Sequence, residues 1–329
     1  MSTIRDVAKA AQVSPATVSR ILSADSSFQT SVETKARVLQ AVQDLHYNYP
    51  SKKKQLHIGC VMSLTYSYSD PYFNDILSGI QSYCSKHNAF ISLVVNHLQF
   101  QEMSPNLIHQ IEELDGLIIT DLPEEKLDFI KELKKKIVFV DNYVQGFCNI
   151  GYNQLYANKT VMDHIINCGY RKIAYIGGPS DCHDFYSSPR MIIIRDTFRK
   201  HNIPFTKDVI HNCDWDPQLC SLQLRELLNK HPDTEVIFAG SDSLAMVILS
   251  QLNELGIKCP EDIGVIGFND IDLAKNFTPP LTTLKLPSVE MGETAARVLI
   301  EQIEKDVVYN YQLLLPVELI ERKSTLKKQ

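Results

Sequence analysis

Arg20 stands near the end of the run D-V-A-K-A-A-Q-V-S-P-A-T-V-S-R-I-L, residues 6–22. Its guanidinium carries paired donors that can bond the O6 and N7 of one guanine together. Residues 1–55 hold eight Lys or Arg against four Asp or Glu, a net of +4, whereas the whole chain sums to −6, so residues 56–329 carry −10. A basic head on an acidic body points to a polyanion partner for the head, with a solvated helical face as the plainer alternative. Thr3, ahead of the first apolar helical pattern, can hold a phosphate at a helix N-terminus. Enzyme chemistry finds no such foothold. There is no G-x-x-x-x-G-K-[ST], H-E-x-x-H or G-x-S-x-G, and the ten histidines show no metal spacing. His183 lies between Cys182 and Asp184, but neighbours on a chain seldom face each other, so no catalytic residue is assigned. The eight cysteines contain no C-x-x-C pair and read as reduced, buried thiols, so no metal and no cofactor is expected.

These side chains need elements to hold them. Ile4, Val7, Ala8 and Ala11 recur at helical spacing behind a Thr3–Asp6 capping box, and this helix ends near Gln12. Ser14 is an N-cap and Pro15 suits the first helical position, so a second helix starts at once, with Val18, Ile21 and Leu22 inward. Thr30 and Glu33 box a third helix striped by Val38, Leu39, Val42 and Leu45. Three short helices with a tight turn after the first predict a helix-turn-helix head that offers its second helix to a major groove.

From Leu56 the pattern changes. LHIGCVMS, FISLVV, GLIIT, KIVFV, KIAYIG, EVIFAG and IGVIGF read as buried parallel strands. Helical segments fall near 73–87, 124–135, 154–168, 190–201, 217–230, 242–255 and 288–304. Such alternation predicts an α/β body of two doubly wound parallel-sheet lobes, with ligands outside the carboxyl ends of the strands. The expected division is a head at 1–47, a shortened basic hinge or linker at 48–57 and a two-lobed body at 58–329. No export signal or membrane-spanning run is read, which places the protein in the cytoplasm, and KSTLKKQ at the end carries no coiled-coil stripe.

TIRDVAKAAQVSPATVSRIL with ETKARVLQAVQDLHY resembles the head of the LacI/GalR bacterial transcription regulators. YRKIAYIGG, FAGSDSLAMVILSQLNELGIKCPEDIGVIGFNDIDLA and TPPLTTLKLPSVEMGETAARVLIEQI are similar to later motifs of that family, in the family's order. The resemblance implies a periplasmic-binding-protein-like body and a homodimeric, allosteric repressor whose partners are operator DNA and a small effector. It puts Ser14, Thr17 and Ser19 near phosphates and Pro15, Ala16 and Arg20 toward base edges; capping and phosphate contact can coexist at Ser14. One departure is in the hinge. The family's N-P-x-A-x-x-L helix is replaced by NYPSKKKQLH, so Lys52, Lys53 and Lys54 are expected either to touch phosphates or to form a solvated linker, without a leucine wedge in the minor groove.

For the effector, the resemblance implies contacts from Asp70, Tyr72, Phe73, Arg190, Trp215, Asp242 and Asn269. One of Tyr72 and Phe73 should be core, and Trp215 has a partly buried core role as its alternative. An aromatic platform beside several polar groups suits a sugar, with one apolar face and a ring of hydroxyls. Ser241-Asp242-Ser243 and Asn269-Asp270-Ile271 are similar to the branch containing galactose-operon regulators of Gram-positive bacteria and the repressor of the evolved β-galactosidase, which tilts the expectation to a galactoside. A purine corepressor and a free-standing sugar receptor are the alternatives.

Overall fold

A computed structural model describes residues 2–23, 28–47, 54–62, 71–120, 122, 126–178 and 185–327. Asp70, Lys52, Lys53, Cys182 and His183, with most of the expected hinge, lie outside the described residues. The chain divides into two compact units, Met1–Gln55 and Leu56–Gln329.

In the first unit, helix α1 spans Ile4–Ala11, and its capping box forms as expected: Asp6 N–H donates to the Thr3 hydroxyl and Thr3 N–H donates to Asp6 Oδ2 at 2.8 Å. Gln12, left-handed at φ 52°, ends it. Helix α2 spans Pro15–Leu22 and is capped by Ser14, which accepts from Thr17 N–H at 3.0 Å. Helix α3 spans Val32–Asp44, and its cap corrects the sequence reading. Ser31, extended at φ −68° and ψ 153°, accepts from Thr34 N–H, so Thr30 lies one residue too early. The stripe shifts with it: Val38 and Ala41, three residues apart, are buried, while Leu39 is exposed. Val7, Ala8, Ala11, Val18, Val38 and Ala41 make the head's core, with Ile4, Ile21, Leu22, Val42 and Leu45 around it.

The second unit contains two six-stranded sheets. The first comprises β1 (Leu56–Met62), β2 (Ala89–Asn96), β3 (Gly116–Ile119), β4 (Lys136–Val140), β5 (Cys148–Tyr152) and β11 (Gln312–Leu315), in the order 2-1-3-4-5-11 and all parallel. The second comprises β6 (Ile173–Gly177), β7 (Ile210–Asn212), β8 (Val236–Ala239), β9 (Gly264–Asn269), β10 (Thr282–Lys285) and β12 (Glu318–Ile320), in the order 7-6-8-9-10-12. Its last pair is antiparallel. The seven apolar runs all became strands, but FISLVV is an edge strand, so Phe90 and Val94 point into solvent instead of being buried. Strands β5, β7, β10, β11 and β12 were not anticipated.

Helices α4 (Pro71–Lys86), α5 (His97–Glu102), α6 (Pro105–Glu113), α7 (Leu127–Glu132) and α12 (Ser288–Lys305) belong to the first lobe, and α8 (Gln154–Asn167), α9 (Pro189–Lys200), α10 (Pro217–Lys230) and α11 (Asp242–Glu254) to the second. Of these, α5 and α6 were also unforeseen. Between α4 and α12 the backbones touch: a Cβ on Gly79 would lie 2.1 Å from the Val289 carbonyl oxygen, and one on Gly292 would lie 2.0 Å from that of Ile76. The chain passes between lobes at Asn153, at Leu286–Pro287 and at Pro316–Val317. One contiguous core joins Ile58 and Val138 of the first sheet to Phe238 and Phe268 of the second. The carboxyl-terminal segment is stitched to the second lobe, where Ser324 Oγ accepts from Thr282 N–H and donates to the Val265 carbonyl.

Candidate functional site

Two surfaces collect the residues singled out above, one in each unit. In the head, Thr3, Ser14, Pro15, Ala16 and Arg20 are exposed, while Thr17 and Ser19 are half-buried. Because Pro15 has no N–H and Ser14 takes that of Thr17, the start of α2 presents hydroxyls, a small apolar patch and few unpaired donors. The Ser14 and Thr17 hydroxyls are 2.9 Å apart. Arg20 stacks its guanidinium over the Phe28 ring at 5.4 Å, which restrains the side chain without occupying its donors. Lys54 is exposed.

In the body, the second surface lies at the carboxyl ends of β4, β6, β8 and β9. Arg190 is the second residue of α9, started by the Ser188 cap and Pro189. Its Nε donates to Asn158 Oδ1 at 2.9 Å, and its Nη1 donates to the Tyr175 hydroxyl at 3.1 Å and the Gly240 carbonyl at 2.8 Å. The guanidinium also lies 4.4 Å from the Phe268 ring centroid and 5.3 Å from that of Phe238. Trp215 covers the same place. A Cβ on Gly178 would lie 2.4 Å from the indole Nε1, and one on Gly240 would lie 2.9 Å from indole Cζ3 and 3.0 Å from Arg190 Nη1. Only glycine leaves room for the ring here, and the ring stays 41% exposed. Asp214 and Trp215 are left-handed at φ 47° and 59°, a conformation uncommon outside glycine that aims the indole over the glycines.

The first lobe contributes a residue that sequence reasoning missed. Asp141 follows β4 at φ 54° and accepts from the Tyr72 hydroxyl at 2.7 Å and from the Gln154 side chain. Burial dominates and pushes its carboxyl up to about 6, against the opposing pull of these hydrogen bonds and of the Arg190 charge. A first-lobe acid thus feels a second-lobe cation. The only signal in the sequence was an aspartate at a strand's carboxyl end.

One open alternative is decided and one expected contact is corrected. Tyr72 is core: its ring is buried and its hydroxyl is spent on Asp141, so it acts through that acid, while Phe73 packs edge-on at 5.1 Å and is half-buried. Asp242 has no exposed surface. Its Oδ1 accepts from Thr283 Oγ1 at 2.6 Å and its Oδ2 from Ile271 N–H at 2.9 Å, and burial raises its carboxyl to about 6 despite these bonds. It anchors the turn after β9 instead of facing a ligand. That turn carries Asn269 at φ 121° and Asp270 at φ 58°, with Asp270 held by Arg322 at 2.7 Å. Asn269 itself is half-buried at the strand end.

Residues 3–50 match the profile described as bacterial regulatory proteins, lacI family, and residues 162–325 that of a periplasmic binding protein-like domain. The chain belongs to the lacI family of bacterial regulatory proteins. Over 343 residues it is 29% identical to the HTH-type transcriptional repressor MelR of Bacillus subtilis (strain 168), covering 98% of this chain and 97% of that protein. It is 28% identical to a ribose operon repressor of Halalkalibacterium halodurans over 336 residues, covering 99% and 97%. Among solved structures, a transcriptional regulator CelR–cellobiose complex aligns with TM-score 0.73 at 24% identity, covering 98% of this chain and all of that one. The lac repressor dimer bound to operator and the anti-inducer ONPF aligns with TM-score 0.72 at 24% identity, covering 99% of each. At these identities the structures establish the two-lobed fold. As a lacI-family member the chain is a DNA-binding repressor under small-molecule control and not an enzyme. Among the described residues, no helix is long and apolar enough to cross a membrane.

Proposed function

We propose that this lacI-family regulator acts in the cytoplasm as a homodimer, reads operator half-sites with α2 and takes a small neutral sugar as effector. The observation that carries the sugar reading is the half-exposed Trp215 ring laid over Gly178 and Gly240 beside Arg190. An aromatic face takes the apolar side of a pyranose, and the surrounding donors and acceptors take its hydroxyls. Asn269 can both donate and accept, where an aspartate only accepts, which favours hydroxyls over a cationic group. A galactoside is the specific effector proposed. Arg20 reads a guanine, Pro15 and Ala16 offer apolar contact, and Thr3, Ser14, Thr17, Ser19 and the Lys52–Lys54 run meet phosphates.

Dimerisation is supported by apolar side chains left in solvent: Phe90 and Val94 on edge strand β2 with Leu98 beside them, and Leu222 and Met246 on the second lobe. An uncovered edge strand with apolar side chains is a surface that proteins normally cover. The effector sets the angle between the lobes through the three crossings and so the separation of the two heads, a coupling of about 1–3 kcal/mol. The test is a titration of Trp215 fluorescence with galactose, lactose, ribose, cellobiose, glucose and a purine base, repeated on Trp215→Phe. A saturable change with one sugar, absent in the variant, is the expected result. A response to the purine alone would replace the sugar, and silence to all would remove Trp215 as the platform.

A further inference from the structure

Asn269, at the end of β9, stands in a backbone conformation that it cannot hold alone. Its φ of 121° lies where residues other than glycine are rare, and Asp270 follows at φ 58°. Such a turn persists only where its surroundings over-determine it. Asp242 Oδ2 accepts from Ile271 N–H at 2.9 Å, the Asn269 carbonyl accepts from Leu286 N–H at 3.2 Å, and Asp270 Oδ1 accepts from Arg322 Nη2 at 2.7 Å. The last two donors belong to interlobe crossings. Leu286 opens the crossing at Leu286–Pro287, and Arg322 follows the crossing at Pro316–Val317 with only β12 and Glu321 between. The strand register repeats the connection: Lys285 on β10 pairs with Asn269 on one side and with Glu318, the first residue of β12, on the other.

The Arg322–Asp270 pair is largely enclosed, its side chains 18% and 13% exposed. Arg322 divides its fork. While Nη2 holds Asp270, Nη1 donates to the Leu281 carbonyl at 2.7 Å, and the backbone N–H donates to Thr282 Oγ1 at 3.0 Å. One residue thus fastens the last segment of the chain to the start of β10 and the Asn269 turn to that segment. We propose that Arg322 is a positioning residue of the effector site, holding Asn269 in its strained conformation through Asp270 and tying it to the crossing at Pro316–Val317; this rests on the reading of Asn269 as an effector contact. When the lobes change their angle the crossing moves, Arg322 moves with it and the turn follows, and a sugar on Asn269 biases the lobe angle by the same route. Without the arginine, the Asp270 carboxylate loses a largely buried partner and the turn relaxes. Ser324 is the built-in contrast. It accepts from Thr282 N–H and donates to the Val265 carbonyl, so it stitches down the same segment through bonds that do not reach the turn.

The full chain should be compared with Arg322→Met, Arg322→Lys and Ser324→Ala by amide hydrogen exchange read by mass, and then by titrating Trp215 fluorescence with galactose. In Arg322→Met, exchange across residues 269–273 should rise about tenfold or more, as expected when a charge-assisted hydrogen bond is lost, and the galactose midpoint should move to higher concentration. Arg322→Lys keeps a charge beside Asp270 and should recover most of both effects. Ser324→Ala should speed exchange of the terminal segment while leaving residues 269–273 and the galactose midpoint unchanged, a split that a merely structural role for Arg322 does not produce. Unchanged exchange at 269–273 in a folded Arg322→Met, or an equal rise there in Ser324→Ala, would overturn the assignment. Should Arg322→Met fail to fold, Asp270→Asn weakens the same pair from the side of the turn and decides in the same way. The exchange comparison needs no sugar, so a wild type silent to galactose counts against the galactoside reading, while Arg322 stands or falls on residues 269–273.

Discussion

The head and the cleft use polar side chains in opposite ways. On α2 Pro15, Ala16 and Arg20 stand in solvent, with Thr17 and Ser19 half-buried, over a core of six small and medium side chains to which none of the five belongs. In the cleft, Arg190, Asp141 and Asp242 are committed to three or more partners each, and Asp242 is fully enclosed. The head therefore separates recognition from folding, whereas the cleft merges them. The largest expected effect tests the first half of that contrast. Val18→Asp puts an unpaired carboxylate into the smallest core in the molecule, at a cost of about 3–5 kcal/mol, against the few kcal/mol that a unit of about 50 residues commands. The head should unfold and operator binding vanish in a mobility-shift assay, while the thermal midpoint of the body and its Trp215 titration stay unchanged. A fall in the body's midpoint would show that the two units fold as one.

Two arginines then compare the regions directly. Arg190→Met leaves Asn158 Oδ1, the Tyr175 hydroxyl and the Gly240 carbonyl without their donor, so effector response should be lost together with about 2–4 kcal/mol of stability in denaturant unfolding. Arg20→Ala should cost about 1–3 kcal/mol of operator affinity, concentrated at one base pair, with an unchanged midpoint. Its guanidinium stacks on Phe28 and spans no core contact that the substitution would empty. If Arg190→Met weakens binding but not stability, the merging of roles in the cleft is wrong.

How much of this could be read in advance follows the same division. The caps of α1 and α2 were legible because Thr3-x-x-Asp6 and Ser14-Pro15 advertise unpaired backbone donors and a fixed φ, which are local properties, whereas at α3 the adjacent Thr30 and Ser31 offered two candidates and the wrong one was chosen. The central strands were legible because burial on both faces makes an unbroken apolar run. Strands such as I-H-N in β7 and T-T-L-K in β10 escaped because they are short and their pairing comes from neighbours remote in sequence. The cleft was only half legible. Arg190 and Trp215 were named through family resemblance, but nothing local distinguishes Asp141 from an ordinary turn aspartate. Asp242 misled for the converse reason: a residue just after an N-cap serine looks exposed, and only the return of Thr283 and Ile271 from later in the chain encloses it.

A smaller effect sharpens the picture of the cleft through pH. The folded Asp141 carboxyl is raised to about 6, above its ordinary value of 3.8, so the folded state binds the proton more tightly. Stability therefore rises as pH falls through 6 and levels off below the unfolded value, opposite to the behaviour of an ion-paired surface aspartate such as Asp196, whose carboxyl is held low by Lys200 and Arg199. Relative to Asp141→Asn, the wild type should gain about 1 kcal/mol between pH 7 and pH 5. The comparison with the variant removes shared contributions, including that of His164, which burial lowers and which works in the other direction. A flat difference would mean that water reaches Asp141 freely.

The smallest effect uses one substitution in two places. Ser188 and Ser14 both cap a helix that begins with proline, but Ser188 is buried and also donates to the Phe185 carbonyl at 3.0 Å, whereas Ser14 is exposed. Ser188→Ala should cost about 2 kcal/mol because it strands two buried groups. Ser14→Ala should cost about 1 kcal/mol, yet in a unit with so little stability that alone raises the unfolded fraction about fivefold. Loss of operator affinity in Ser14→Ala is therefore ambiguous between fraying and a missing phosphate contact. Ser14→Gly resolves it, since glycine at a cap costs only a few tenths of a kcal/mol while still removing the hydroxyl. Operator affinity that falls in Ser14→Gly as far as in Ser14→Ala places the hydroxyl on a phosphate; affinity that recovers assigns Ser14 to the helix alone and returns recognition to Arg20 and its neighbours.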